Sequence, residues 1–163
     1  MIIYPPEELE RIKKVQETNQ RLEDFFKVRR EEWNNSVEPL TDIFKMDLNT
    51  QSAKKIMEVQ ALSLSYRQKI SDEVSVFLEK RSKQDVKLKK LRQDKFIYYA
   101  TAFAVKTNTT EKSIMIEAHI AEENRNIEII DNYIDFLRST NKNLESLQFT
   151  IKHIIELFNY LGR

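Results

Sequence analysis

Apolar residues recur at steps of three and four along most of this 163-residue chain, the spacing of one helix face. From Glu7 to about Asn34 the pattern predicts a mostly charged helix, opened by Pro5 and Pro6, with a thin apolar set: Leu9, Ile12, Leu22, Phe25, Phe26 and Trp33. Pro39 ends it. Leu40, Ile43, Phe44, Met46 and Leu48 then make a compact apolar patch. A second helix is predicted from a cap at Asn49 or Thr50 to about Ala104, with Val59, Leu62, Tyr66, Ile70, Val74 and Phe77 as one stripe. The stripe fades between Glu79 and Lys87 and resumes with Leu88, Leu91, Phe96, Tyr98 and Tyr99. Lys106 to Thr110 reads as a loop of residues that compete with helical hydrogen bonds. Thr110 or Ser113 can cap a third helix, from about Glu111 to Leu161, which Gly162 stops.

That last helix carries the strongest periodicity. Alternating steps of three and four from Ser113 pass through Ile116, Ile120, Glu123, Ile127, Ile130, Ile134, Leu137, Asn141, Leu144, Gln148, Ile151, Ile155 and Phe158. Ten of these fourteen positions are apolar, a heptad repeat over about six heptads and the form of a coiled-coil seam. Asn141 and Gln148 fall at the same heptad position, where a buried amide can fix register; an ordinary exposed stretch of helix is the competing reading. Met115, Ile129, Tyr133, Phe136, Leu147, Ile154, Leu157 and Leu161 widen the seam, so the chain's own second helix is expected on one side and another subunit on the other. The assembly residues are read as Ile127, Ile130, Ile134, Leu137, Leu144, Ile151, Ile155 and Phe158.

The fold class expected is all-α: an elongated long-helix protein whose C-terminal heptad helix builds an oligomer, ring-like or bundled. Four stretches follow: a charged helical extension (1–39), a long helix with a basic segment at 80–99 (40–105), a loop (106–113) and an oligomerisation helix (114–163). Composition agrees. Glycine occurs only at Gly162, proline only at Pro5, Pro6 and Pro39, and a third of the residues are charged, so a lone monomer has little to bury. No cysteine is present, no apolar run reaches the roughly 18 residues of a membrane span, and no signal-peptide layout opens the chain, so a soluble, cytoplasmic protein is expected.

Net charge is only +1, so any polyanion binding must come from local clustering. Lys80 to Lys95 supplies it: Lys80, Arg81, Lys83, Lys87, Lys89, Lys90, Arg92 and Lys95 against Asp85 and Asp94, a net +6 in sixteen residues. Phe96, Tyr98, Tyr99 and Phe103 follow at once, placing rings that can stack on unpaired bases beside charge that can neutralise phosphate. The competing reading is a solvated lysine face with the aromatics in the core. Catalytic signals are absent: His119 and His153 lack neighbours at metal-ligand spacing, and no glycine loop can cradle a phosphate. No enzyme activity, cofactor, metal or small-molecule substrate is expected.

Four local patterns, in order, resemble UvsY, the recombination mediator family of tailed bacteriophages. They are Asp42-Ile43-Phe44 with Asp47; the basic helix running into Tyr98-Tyr99; Glu111-Lys112-Ser113 with Met115; and Tyr133, Asp135-Phe136 and Phe149-Thr150-Ile151-Lys152-His153-Ile154. The resemblance covers roughly three quarters of the chain, from Asp42 to Gly162. It implies an oligomeric ring joined through C-terminal helices that binds single-stranded DNA. It further implies loading of a RecA-type recombinase onto DNA covered by single-strand DNA-binding protein. Basic residues just before the tyrosine pair would contact DNA; Lys95 matches one such position and Gln93 stands at another, leaving Lys89, Lys90 and Arg92 to carry the charge. The DNA-binding set is then Lys83, Lys87, Lys89, Lys90, Arg92, Lys95, Tyr98 and Tyr99. The rival expectation is a structural coiled-coil or scaffold protein whose basic helix meets an acidic protein or an anionic membrane.

Overall fold

A computed structural model describes residues 5–47, 50–101 and 108–162. Helix α1 (Pro6–Val37) leads into a short 3-10 helix (Glu38–Lys45), then α2 (Thr50–Thr101), α3 (Thr109–His119) and α4 (Ala121–Leu161). No strand occurs among the described residues, so the chain is all-α. The predicted cap at Asn49, Leu48, Phe103, the helix end at Ala104 and the Lys106–Thr107 start of the loop lie outside the described residues.

Each boundary has a local cause. Pro6 occupies the first position of α1, where no amide hydrogen is needed, and Pro5 O accepts from Glu8 N and Leu9 N at 3.0 and 3.1 Å. Although α1 is poor in apolar residues, pairs one turn apart such as Lys14–Glu10 at 2.8 Å support its exposed side. Pro39 moves the chain into the 3-10 helix, which buries Leu40 and Ile43 and leaves Phe44 and Met46 exposed. Helix α2 then runs for 52 residues, consistent with a sequence free of glycine and proline. Its buried line passes through Ser52, Ile56, Val59, Ser63 and Ile70, so Leu62 of the predicted stripe is exposed and Ser63 takes the inner place.

The predicted third helix is in fact two. Asn108, not Thr110 or Ser113, caps α3: its side chain accepts from Glu111 N at 2.8 Å while Glu111 accepts from Asn108 N at 3.2 Å. At Ile120 (φ −107°, ψ 10°) the helix breaks. The His119 carbonyl, which would continue the ladder, instead accepts from the Arg11 guanidinium at 2.6 Å, and Arg11 also pairs with Glu123 in the first turn of α4. The break turns Ile120 fully inward.

The chain divides into two compact units, and α1, α2 and α4 each contribute to both. The first (Met1–Phe26, Phe77–Tyr133) is centred on an aromatic trio, with Phe26 stacked on Tyr133 at 4.1 Å and Phe77 edge-on to both at 5.0 and 5.3 Å. Leu88, Tyr99, Ile116, Ile120 and Ile127 form its second cluster, with Leu91 and Met115 against it. The other unit (Lys27–Val76, Ile134–Arg163) buries Trp33, Leu40, Ile43, Ile56, Val59, Ile70, Ile134, Leu137, Leu144, Leu147 and Ile151. Within it, Arg67 donates to Asn141 Oδ1 at 3.1 Å and Gln148 Oε1 at 3.0 Å and lies 3.6 Å from Glu145. The two polar heptad positions thus share one arginine of their own chain.

No helix among the described residues is long and apolar enough to cross a membrane.

Candidate nucleic-acid interface

The basic run lies on the second half of α2, within the first unit. Leu88 and Tyr99 mark its buried side; successive residues of a helix turn by about 100°, so charges along the run divide between an outer and an inner face. Lys83, Lys87 and Lys90 follow one another at helix spacing on the exposed side. Among the described residues Lys87 and Lys90 pair with no carboxylate, while Lys83 and Lys89 pair only along the helix, with Glu79 at 2.5 Å and Asp85 at 2.7 Å. The hydrogen bonds from these lysines hold the Glu79 and Asp85 carboxyls below the usual carboxylate range. Such exposed pairs along one helix are weak and screened by solvent, so an incoming phosphate can take either lysine.

Of the remaining members of the predicted DNA-binding set, Arg92, Lys95 and Tyr99 are engaged by the chain itself. Arg92 donates to Glu117 at 3.0 and 3.4 Å. Arg81, in the same run, forks onto Asp131 at 2.8 and 3.3 Å, a hydrogen bond that raises the guanidinium pKa further. Lys95 is 20% exposed and bound to Glu8 of α1. Tyr99 is 4% exposed and hydrogen-bonds to Nε2 of His119, so it cannot stack on a base in this state. Tyr98, 45% exposed, stands edge-on to it at 5.3 Å. The tyrosine pair is thus one surface ring and one core ring. Phe96, Ile97 and Val86 are also exposed and interleave the lysines.

Glu8, Arg11 and His119 are the residues here that sequence reasoning did not assign to the site. The one signal for them is a charged residue at a helical position otherwise fit for burial. His119 is a packed, hydrogen-bonded histidine. Burial, then the nearby Lys95 and Arg11 cations, lower its pKa from 6.5 to about 4, with the Glu8 carboxylate 3.8 Å from Nδ1. In the unfolded chain the ring keeps an ordinary pKa of about 6.5, so as pH falls the unfolded state binds the proton first. The stabilisation held by the neutral ring is complete above about pH 6.5 and is lost as pH falls towards about 4. Thermal unfolding at pH 5 and 7 should therefore differ more for the native chain than for His119→Gln; equal differences would contradict a buried neutral ring.

His153 is exposed, edge-on to Phe149 at 4.4 Å. No group of three or more potential metal-binding side chains occurs among the described residues. In the second unit a cavity of about 390 Å³ is lined by Arg29, Glu32, Trp33, Ser36, Tyr66, Lys69 and Glu73. Glu73 there accepts from Arg29 at 2.8 and 3.2 Å and from the Trp33 indole at 3.0 Å, Glu32 also holds Arg29, and the Lys69 ammonium lies 5.9 Å from the Tyr66 ring centre.

The predicted assembly seam divides as well. Ile127, Ile130, Ile134, Leu137, Leu144 and Ile151 are buried by the chain itself and are not available to another copy. This corrects the expectation of an intersubunit seam there: the chain's own helices fill the broad apolar face. Ile155 and Phe158 remain about 40% exposed, as do, more fully, Phe149, Leu157, Tyr160 and Leu161. Comparison with known protein families, with curated proteins and with solved structures finds no match for this chain.

Proposed function

We propose that this chain is a non-enzymatic protein that binds single-stranded DNA without base specificity, as a recombination mediator of the UvsY type. The observation that carries the reading is the exposed row Lys83, Lys87 and Lys90, with Phe96 and Tyr98 open farther along the same helix. Charge for phosphates and rings for unpaired bases are the two requirements of sequence-tolerant single-strand binding. Loading of a RecA-type recombinase and displacement of single-strand DNA-binding protein rest on the resemblance. Self-assembly is the natural use of the last turns of α4, where Phe149, Leu157, Tyr160 and Leu161 are open to solvent. In an oligomer the lysine row is multiplied, and avidity exceeds the affinity of one copy.

A second reading has its own observation. Val86, Phe96 and Ile97 lie among the lysines, and a basic face with apolar insertions also suits an anionic lipid surface, as in a scaffold protein. Titrating the protein with oligo-dT, duplex DNA and vesicles containing phosphatidylserine at several salt concentrations separates the two. Tightest binding to oligo-dT, weakening steeply with salt, is expected. Preference for vesicles, or no DNA binding at moderate salt, rejects the DNA reading.

A further inference from the structure

We propose that the first turns of α1 form an electrostatic clasp over the inner edge of the basic helix, which a nucleic-acid backbone opens by taking Lys95 from Glu8. The proposal rests on the DNA-binding reading above and concerns the regulation of that site.

The clasp is held by polar groups. Between Pro6 and Gln20 the buried side chains of α1 are Glu8 and Asn19; Leu9 is exposed, and Ile12 and Val15 are only half-buried. Glu8 binds Lys95 with one oxygen and Arg11 Nε with the other, at 2.7 Å. Arg11 also reaches Glu123 and the His119 carbonyl. Gln16 donates to Glu122 at 3.0 Å, Asn19 donates to the Glu122 carbonyl at 2.9 Å, and Asn126 donates to Asn19 at 2.8 Å. Farther along, the attachment changes character, since Phe26 is almost fully buried in the aromatic trio. The helix is thus anchored by apolar packing at one end of this unit and by charges and amides at the other, and charges are what salt and polyanions compete for.

The geometry also selects the competitor. Lys95 lies about 7.5 Å along the helix from Lys90 and about 140° round it, so a strand held by Lys83, Lys87 and Lys90 reaches the Glu8–Lys95 pair by winding round the helix towards its inner edge, at high effective concentration. Burial lowers the Lys95 pKa, so this ammonium is incompletely solvated and gains from a second anion. Once Glu8 gives way, Lys95 loses its cover and becomes a further cation for the strand, while Tyr99 keeps its place among Leu88, Ile116, Ile120 and Ile127. Closed, the clasp lowers apparent affinity in proportion to the fraction of molecules that are open.

The test uses the full chain in three forms: native, Glu8→Gln, and a Gln16→Cys/Glu122→Cys form closed with a short, reductively cleavable bismaleimide, feasible because the chain has no cysteine of its own. Binding to oligo-dT is titrated against salt, and amide hydrogen exchange is followed over residues 6–20. E8Q should bind on the order of tenfold more tightly because no pair must be broken first, and the closed cross-linked form, which cannot offer Lys95, should show a salt slope shallower by about 0.7, one phosphate contact on a single strand. The cross-linked form should bind more weakly than the native chain and recover when the link is cleaved. In the native chain, oligo-dT should speed exchange over residues 6–20. Equal affinity and salt slope for all three forms, with native binding intact, overturns the clasp alone. No oligo-dT binding by any form overturns the DNA reading and the clasp with it.

Discussion

Truncating Leu137 to alanine should lower folding stability by about 2–5 kcal/mol, the cost of deleting a fully buried leucine and leaving a cavity. A coiled-coil seam at the same positions predicts something else, a folded protein that comes apart into subunits. The two are separable by denaturant unfolding alongside sedimentation. Leu137 and Leu144 have no exposed surface in the single chain, so their loss is felt by that chain alone. The matching change at the other end of α4 is Leu157→Ser with Leu161→Ser, both well exposed. Surface substitutions of this kind cost within about 0.5 kcal/mol, so folding should persist while any oligomer dissociates. If Leu137→Ala instead yields a stable folded subunit of lower mass, the intrachain core is refuted.

Joint replacement of Lys83, Lys87 and Lys90 by alanine should weaken oligo-dT binding by roughly tenfold to a hundredfold at moderate salt and flatten the log–log salt slope by about 2, three contacts at about 0.7 each. The helix itself should survive, because alanine favours helix and these side chains are exposed. Removing Lys83 frees Glu79 from an exposed pair of little value. Replacing Arg81 and Arg92 makes the informative contrast. Each carries the same formal charge as a lysine but is held by Asp131 or Glu117, so their loss should change the slope less per residue. Equal slope changes per residue removed would mean that α2 is read as a smear of charge rather than through its outer row.

Much of this architecture is legible without coordinates, for a physical reason. Between Pro39 and Gly162 the chain has no proline or glycine, its polar interruption at Lys106 to Thr110 is plain, and the spacing of apolar residues marks which side of each helix is buried. The break at Ile120 is not legible, because it depends on Arg11, more than a hundred residues earlier, capturing the His119 carbonyl. For the same reason a heptad pattern states that a face is covered without stating by what. Here the chain supplies the cover as far as Ile151 and leaves Ile155 and Phe158 partly open. The basic run is equally plain in the sequence, but its division into outer and inner cations is set by Glu8, Glu117 and Asp131 on other helices. Tyr98 and Tyr99 show the limit most simply. Neighbours on a helix point about 100° apart, so both cannot face inward; Tyr99 is the one that packs with Leu88, Ile116, Ile120 and Ile127 and meets His119.

Arg67 makes α4 intolerant of sliding. In place, its guanidinium meets Asn141, Glu145 and Gln148, three successive rungs that all offer oxygen. A slip of three residues would set Leu144 and Ile151 opposite it, stranding a cation against hydrocarbon. A slip of four would bring Glu145 to the first rung but Lys152 to the last, cation against cation, and a full seven would exchange Gln148 for Ile155. The apolar repeat alone scarcely distinguishes a displacement of seven from none. The arginine does, and so serves as an index pin that gives a repetitive helix one seat.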